Sequence, residues 1–170
     1  MLFLVLILSN VIILGLPVVL LGPAWPDMHL EFAVARDAAG PVNMMISGMT
    51  IISGLMSGSL LKRFGTGRVV AVSTLLTAIA MLGVSLAPSY LWLFPLAIPY
   101  GLGGGAIDTG INDYVAAHYS AKHMNWLHSM WGLGAMLGPM LLSVAISGGG
   151  WRNGYLWVAL LQFALTIVMF

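Results

Sequence analysis

Apolar runs of membrane length, separated by short polar breaks, recur along the chain and predict six helices. Residues 2–21 are apolar except for Ser9, Asn10 and Gly15, with Pro17 a candidate kink. No Lys or Arg precedes this run, and a secretory signal would carry a basic start and a shorter apolar core, so it reads as a first span. Gly22, Pro23 and Pro26 predict its end, and residues 27–40 a polar loop with a short amphipathic piece. The second helix covers residues 41–61 and the third 69–86, joined by the basic loop Lys62-Arg63-Phe64-Gly65-Thr66-Gly67-Arg68. Pro88, Ser89 and Tyr90 turn the chain into the fourth helix, 91–117. Residues 118–125 predict a loop, 126–146 the fifth helix and 147–154 another loop. Residues 155–170 fall short of the ~20 needed to span, and a start at Trp151 brings them to length.

Composition narrows the class. Hydrophobic residues make up 60% and charged residues 6%, with a mean hydropathy of +1.01, whereas a soluble domain carries about a quarter charged residues. The pattern is that of an all-α integral membrane protein. A net charge of +1 and the lack of a basic stripe interleaved with aromatics exclude a nucleic-acid partner. With no cysteine, disulfides and Cys-ligated metals are excluded. Twenty-one glycines point to close helix packing, because small residues let backbones approach in lipid. Lys62, Arg63, Arg68 and Lys122 fall on one side and Arg36 and Arg152 on the other, which puts the second and fourth loops and the N-terminus in the cytoplasm.

Residues 101–139 concentrate the candidate chemistry. Asp108 lies inside an apolar segment, and an intramembrane acid is by default a functional-site hypothesis. Asn112 follows one turn later on the same face. Beyond the loop, Asn125, His128 and Gly132 share a face at i, i+3 and i+7. These residues read as the polar wall of a transport cavity, with Asn112 paired in depth with His128 and Asp108 with Gly132. Trp126 or Trp131 would stack a sugar face, and Asn10 joins the wall from the first span. An acid in a dry cavity can take up a proton and release it as the cavity wets, or hold Na+ through oxygen. A structural alternative is that Asp108 or His128 only bonds a neighbouring helix. Asp113, rotated about 140° from Asp108, faces elsewhere and suits an ion pair with Arg63 or Arg68 in a gating role. His118, His123 and His128 recur every five residues. Metal-binding pairs on a helix need a spacing that returns to one face, and no nucleophile elbow is present. Neither an enzyme nor a metal or cofactor is expected, beyond a coupling H+ or Na+.

Gly54 and Gly58 in the second helix recur as Gly134 and Gly138 in the fifth, eighty residues later, and Gly101 and Gly105 form a third such pair. The offset predicts one six-helix domain over residues 1–170, built from two inverted three-helix repeats, 1–88 and 89–170.

Gly58-Ser-Leu-Leu-Lys-Arg-Phe-Gly65-Thr-Gly-Arg68 resembles the signature loop between helices two and three of the major facilitator superfamily, with Lys62 where that pattern has an acid. Gly103-Gly-Gly-Ala-Ile-Asp108 through Asn112, then Asn125-Trp-Leu-His128 and Gly132-Leu-Gly134 to Gly138-Pro139, resembles the sugar-permease branch around fucose permeases and sodium-dependent glucose transporters. Trp151-Arg152 is also similar to that branch. The resemblance implies the N-terminal half of such a fold, in a bacterial cytoplasmic membrane. It implies a secondary transporter that moves a small polar solute, foremost a sugar, by H+- or Na+-coupled alternating access. Gly134 to Pro139 is also similar to the helix-five motif of antiporters, so an exporter of drugs or metabolites is the alternative. A non-transporting receptor or assembly subunit stays open, since fold alone does not fix function. One wall needs a partner across the cavity, either a second six-helix half or a second copy in a homodimer.

Overall fold

The computed structural model describes the backbone of residues 2–169 and the side chains of residue 9 and residues 11–169. Asn10 of the expected wall therefore lies outside the described side chains. Among the described residues every regular element is helical. In order they are α1 (Leu2–Val18), α2 (Leu21–Glu31), α3 (Ala39–Phe64), α4 (Thr66–Ser85), α5 (Leu93–His118), α6 (Ala121–Gly149) and α7 (Trp151–Met169). Single 3-10 turns at Arg36–Ala38 and Tyr90–Trp92 lead into α3 and α5. Among the described residues six stretches are long and apolar enough to cross a membrane, the first of them, Val11–Glu31, running through α1 and α2.

Three boundaries differ from those read off the sequence. Gly22, Pro23 and Pro26 do not end the first span, because the helix restarts at Leu21 and carries them to Glu31. Pro23 is the third residue of α2, where its missing N–H belongs to the donors that no helix can satisfy internally. The loop expected over residues 118–125 is only Tyr119 and Ser120. Ala121 to Asn125 is polar but holds no Gly or Pro, and polarity alone does not break a helix. The break expected over 147–154 shrinks to Gly150, at φ 106°, so α7 starts at Trp151 and reaches nineteen residues. Gly65, at φ 79°, makes the equally tight joint between α3 and α4, a geometry that favours glycine.

The spans pair as α1 with α6 and α3 with α5, while α4 packs on both α5 and α7. Glycines let backbones meet at these seams. A Cβ on Gly101 would stand 2.5 Å from the Ile46 carbonyl oxygen, one on Gly105 2.5 Å from that of Thr50, and one on Gly103 2.6 Å from that of Ser73. Gly101 and Gly105 thus seat α5 on α3, and Gly103 seats it on α4. Gly134 and Gly138 seat α6 on α1, where Gly15 faces the Trp131 carbonyl. A Cβ on Gly58 would meet none of the described atoms within 4 Å, and one on Gly54 would meet only Thr109 Oγ1, at 3.8 Å. The two pairs α1–α6 and α3–α5 exchange when the first three spans are swapped for the last three. Their close contacts nevertheless come from α6 in one pair and α5 in the other, so Gly54 and Gly58 do not repeat the role of Gly134 and Gly138.

Candidate functional site

Asp108 sits on the exposed face of α5. One turn on, the Asn112 side-chain amide donates to the Asp108 carbonyl oxygen at 2.8 Å and to Oδ1 at 3.0 Å. The second carboxylate oxygen makes no hydrogen bond among the described residues. Among the described residues Asp108 therefore bonds within its own helix and staples no neighbour.

Two cavities meet at this residue. The larger, about 510 Å³, opens between α1, α3, α4 and α5 and takes polar groups from Asn43, Ser47, Thr50 and Tyr100. The smaller, about 220 Å³, lies toward the Tyr119–Ser120 turn and is lined by Ile111, Asn112, Leu127 and His128. Leu14, Asp108 and Trp131 line both. They form the septum between the two.

The structure thus brings Asp108, Asn112, His128 and Trp131 together. Gly132 lies outside both linings, and Trp131, one residue earlier, stands beside Asp108 in its place. Asn125 is exposed one turn nearer the helix end and is absent from both linings. Trp126 points elsewhere, since two residues of helix rotate it about 200° from His128. Its ring meets Lys122 Nζ at 5.2 Å and His123 edge-on at 5.3 Å. Asp113 is exposed and forms no ion pair with Arg63 or Arg68 in this conformation; the Arg63 guanidinium lies over the Phe64 ring at 5.3 Å. The histidines disperse. His118 stacks on Tyr114 at 4.3 Å, His123 meets Ser120 Oγ at 3.0 Å, and only His128 reaches the cavity. No group of three metal-ligating side chains occurs among the described residues.

Sequence reasoning missed the α3 contribution. Asn43, Ser47 and Thr50 recur at i, i+4 and i+7, so the stripe was readable once α3 was known to face a cavity. It also missed a tie on the far side of the larger cavity. Arg152 Nη2 meets Glu31 Oε1 at 2.6 Å, Trp151 Nε1 donates to Glu31 Oε2 at 2.7 Å, and Arg152 Nη1 donates to the Ser85 carbonyl at 2.9 Å. This joins the ends of α2 and α4 to the start of α7. Trp151-Arg152 carried part of the family resemblance, but nothing in the sequence linked it to Glu31.

The sequence profile of the Major Facilitator Superfamily matches residues 7–170. The chain belongs to this superfamily. It is 30% identical over 119 residues to a niacin transporter of Acinetobacter baylyi, covering 68% of this chain and 27% of that protein. It is 27% identical over 164 residues to a 4-hydroxybenzoate transporter of the same organism, covering 90% and 35%. It is 28% identical over 146 residues to the human sodium-dependent glucose transporter 1, covering 78% and 26%. The chain spans about a quarter to a third of the length of these relatives. The six-helix architecture is half of a major facilitator fold, and the chain is an integral membrane protein of a transport family.

Proposed function

We propose that this chain is one six-helix half of a secondary transporter, and that it moves a neutral hydroxylated solute, a sugar, by alternating access coupled to H+ or Na+ at Asp108. The observation that carries this reading is the septum. One carboxylate, braced by Asn112 and flanked by the Trp131 ring, stands where two cavities on opposite sides of it meet. The larger cavity adds amide, hydroxyl and phenol groups and an indole, and among the described residues Asp108 is its one charged side chain. Such a lining hydrogen-bonds hydroxyls and repels a free carboxylate. It therefore suits the solute named for the glucose-transporting relative better than the aromatic acids named for the other two.

The wall also needs a cover. Only 11% of the apolar window of α3 and 22% of that of α6 are buried, against 39–50% for the other four spans. These two helices flank the cavity, and a second half or a second copy of this chain closes over them.

The test is proteoliposome uptake of a labelled hexose under imposed pH or sodium gradients, beside labelled nicotinate and 4-hydroxybenzoate. Gradient-driven accumulation of the hexose is expected, and Asp108→Asn, which keeps the bond to Asn112, should abolish it while binding persists. Accumulation of the carboxylates but not the hexose would overturn the substrate class. Wild-type accumulation by the variant would remove Asp108 from coupling.

A further inference from the structure

A third cavity, larger than either of those at the septum at about 790 Å³, opens on the other side of α5. Leu102 and Ala106 line it, whereas Gly104 and Asp108 line the central cavity. Two residues of helix turn a side chain by about 200°, so α5 separates two sites that share no lining residue. The groove runs between α3 and α4, floored by α5. Met56, Leu60 and Phe64 form one wall and Val72 and Leu76 the other. Met56, Phe64 and Val72 are each about half exposed, so the groove opens outward from the bundle.

Its mouth is basic. Arg68 lines the groove at the α3–α4 joint. The Arg63 guanidinium sits over the ring of Phe64, itself a lining residue. Lys62, two residues from both Leu60 and Phe64, lies on the opposite face of α3. No acid occurs between Asp37 and Asp108, and none of the three cations has an ion-pair partner among the described residues. Two uncompensated cations at the end of an apolar trough complement one kind of occupant, a negatively charged head on an apolar tail.

We propose that this groove binds an anionic phospholipid, with an acyl chain between α3 and α4 and the phosphate held by Arg68 with Arg63. The headgroup anchors at the joint while the tail covers apolar side chains that the bundle leaves open. The site is separate from the transport reading, because its readout is lipid and not solute.

The chain is purified from mixed vesicles of equimolar phosphatidylglycerol and phosphatidylcholine with identical acyl chains, and the retained lipid is quantified by mass spectrometry. Phosphatidylglycerol should be enriched about tenfold or more. Each basic side chain near an anionic lipid contributes about fivefold, so Arg68→Gln should lower the enrichment by that factor and the double Arg63, Arg68→Gln variant should abolish it. Val72→Trp, which fills the groove and leaves the charges alone, should lower the retained lipid without changing the elution volume. Equal retention of the two lipids would overturn the proposal, as would enrichment that neither the charge variants nor Val72→Trp alters. Displacement of the lipid by an equal concentration of inorganic phosphate would show an anion site without a tail, and would also overturn it.

Discussion

Alanine at Gly105 tests whether α5 and α3 are held backbone to backbone. A Cβ there would stand 2.5 Å from the Thr50 carbonyl oxygen and 3.0 Å from Ser53 Cβ. Neither atom is the end of a flexible side chain, so α5 must retreat from α3 or rotate. Overpacking of this kind costs about 1–3 kcal/mol. Alanine also gains about 1 kcal/mol over glycine in helix propensity, which opposes the clash and blurs a single measurement. Gly104→Ala removes the ambiguity. It is one residue away in the same helix and carries the same gain, and its Cβ would meet nothing within 4 Å. The difference between the two variants isolates the clash. For a chain of this size each kcal/mol is roughly 2–4 °C in melting temperature. Thermal unfolding in detergent, followed by intrinsic tryptophan fluorescence at one scan rate, should show Gly105→Ala melting several degrees below Gly104→Ala. Equal melting temperatures would refute the seam.

Two further outcomes are expected. Cysteines at Gly67 and Gly148, both open positions, should be labelled by an impermeant maleimide from opposite faces of the membrane; labelling of both from one face would contradict the six-span topology. Trp151→Phe keeps the edge-on contacts with Phe32 and Tyr155 but removes the donor to Glu31. It should cost about 1 kcal/mol, and a melting temperature unchanged in that variant alone would show that the tie carries no stability.

Membrane class and span count were legible because they rest on composition and on apolar runs of membrane length. Helix ends were less legible. The stretch Ala121–Asn125 looked like a loop because it is polar, yet a helix near a membrane surface tolerates polar residues and stops only where geometry demands it, here at Ser120 and Gly150. That error moved the register of the wall. Counting from a start at Trp126 matched Asp108 with Gly132, whereas α6 starting at Ala121 sets Trp131 beside it. The Glu31–Arg152 tie and the contacts made by each glycine pair were illegible for another reason. They depend on which helices are neighbours in space, and single-sequence periodicity carries no such information.

The septum joins two helix pairs that are each seated backbone to backbone. Asp108 rides on α5, which Gly101 and Gly105 lock against the α3 backbone. Leu14 rides on α1 and Trp131 on α6, and those helices are locked through Gly15, Gly134 and Gly138. Within each pair a carbonyl oxygen lies where a Cβ would be, so sliding by a fraction of an ångström meets hard backbone and not a deformable side chain. Between the pairs, contact is sparse: α5 meets α6 only slightly, and α4 and α7 make the lateral joint. A change in the gap between Asp108 and Trp131 therefore reports movement of one pair against the other. This is why the chemistry of the site belongs to the junction, although each of its side chains is placed by a glycine seam elsewhere.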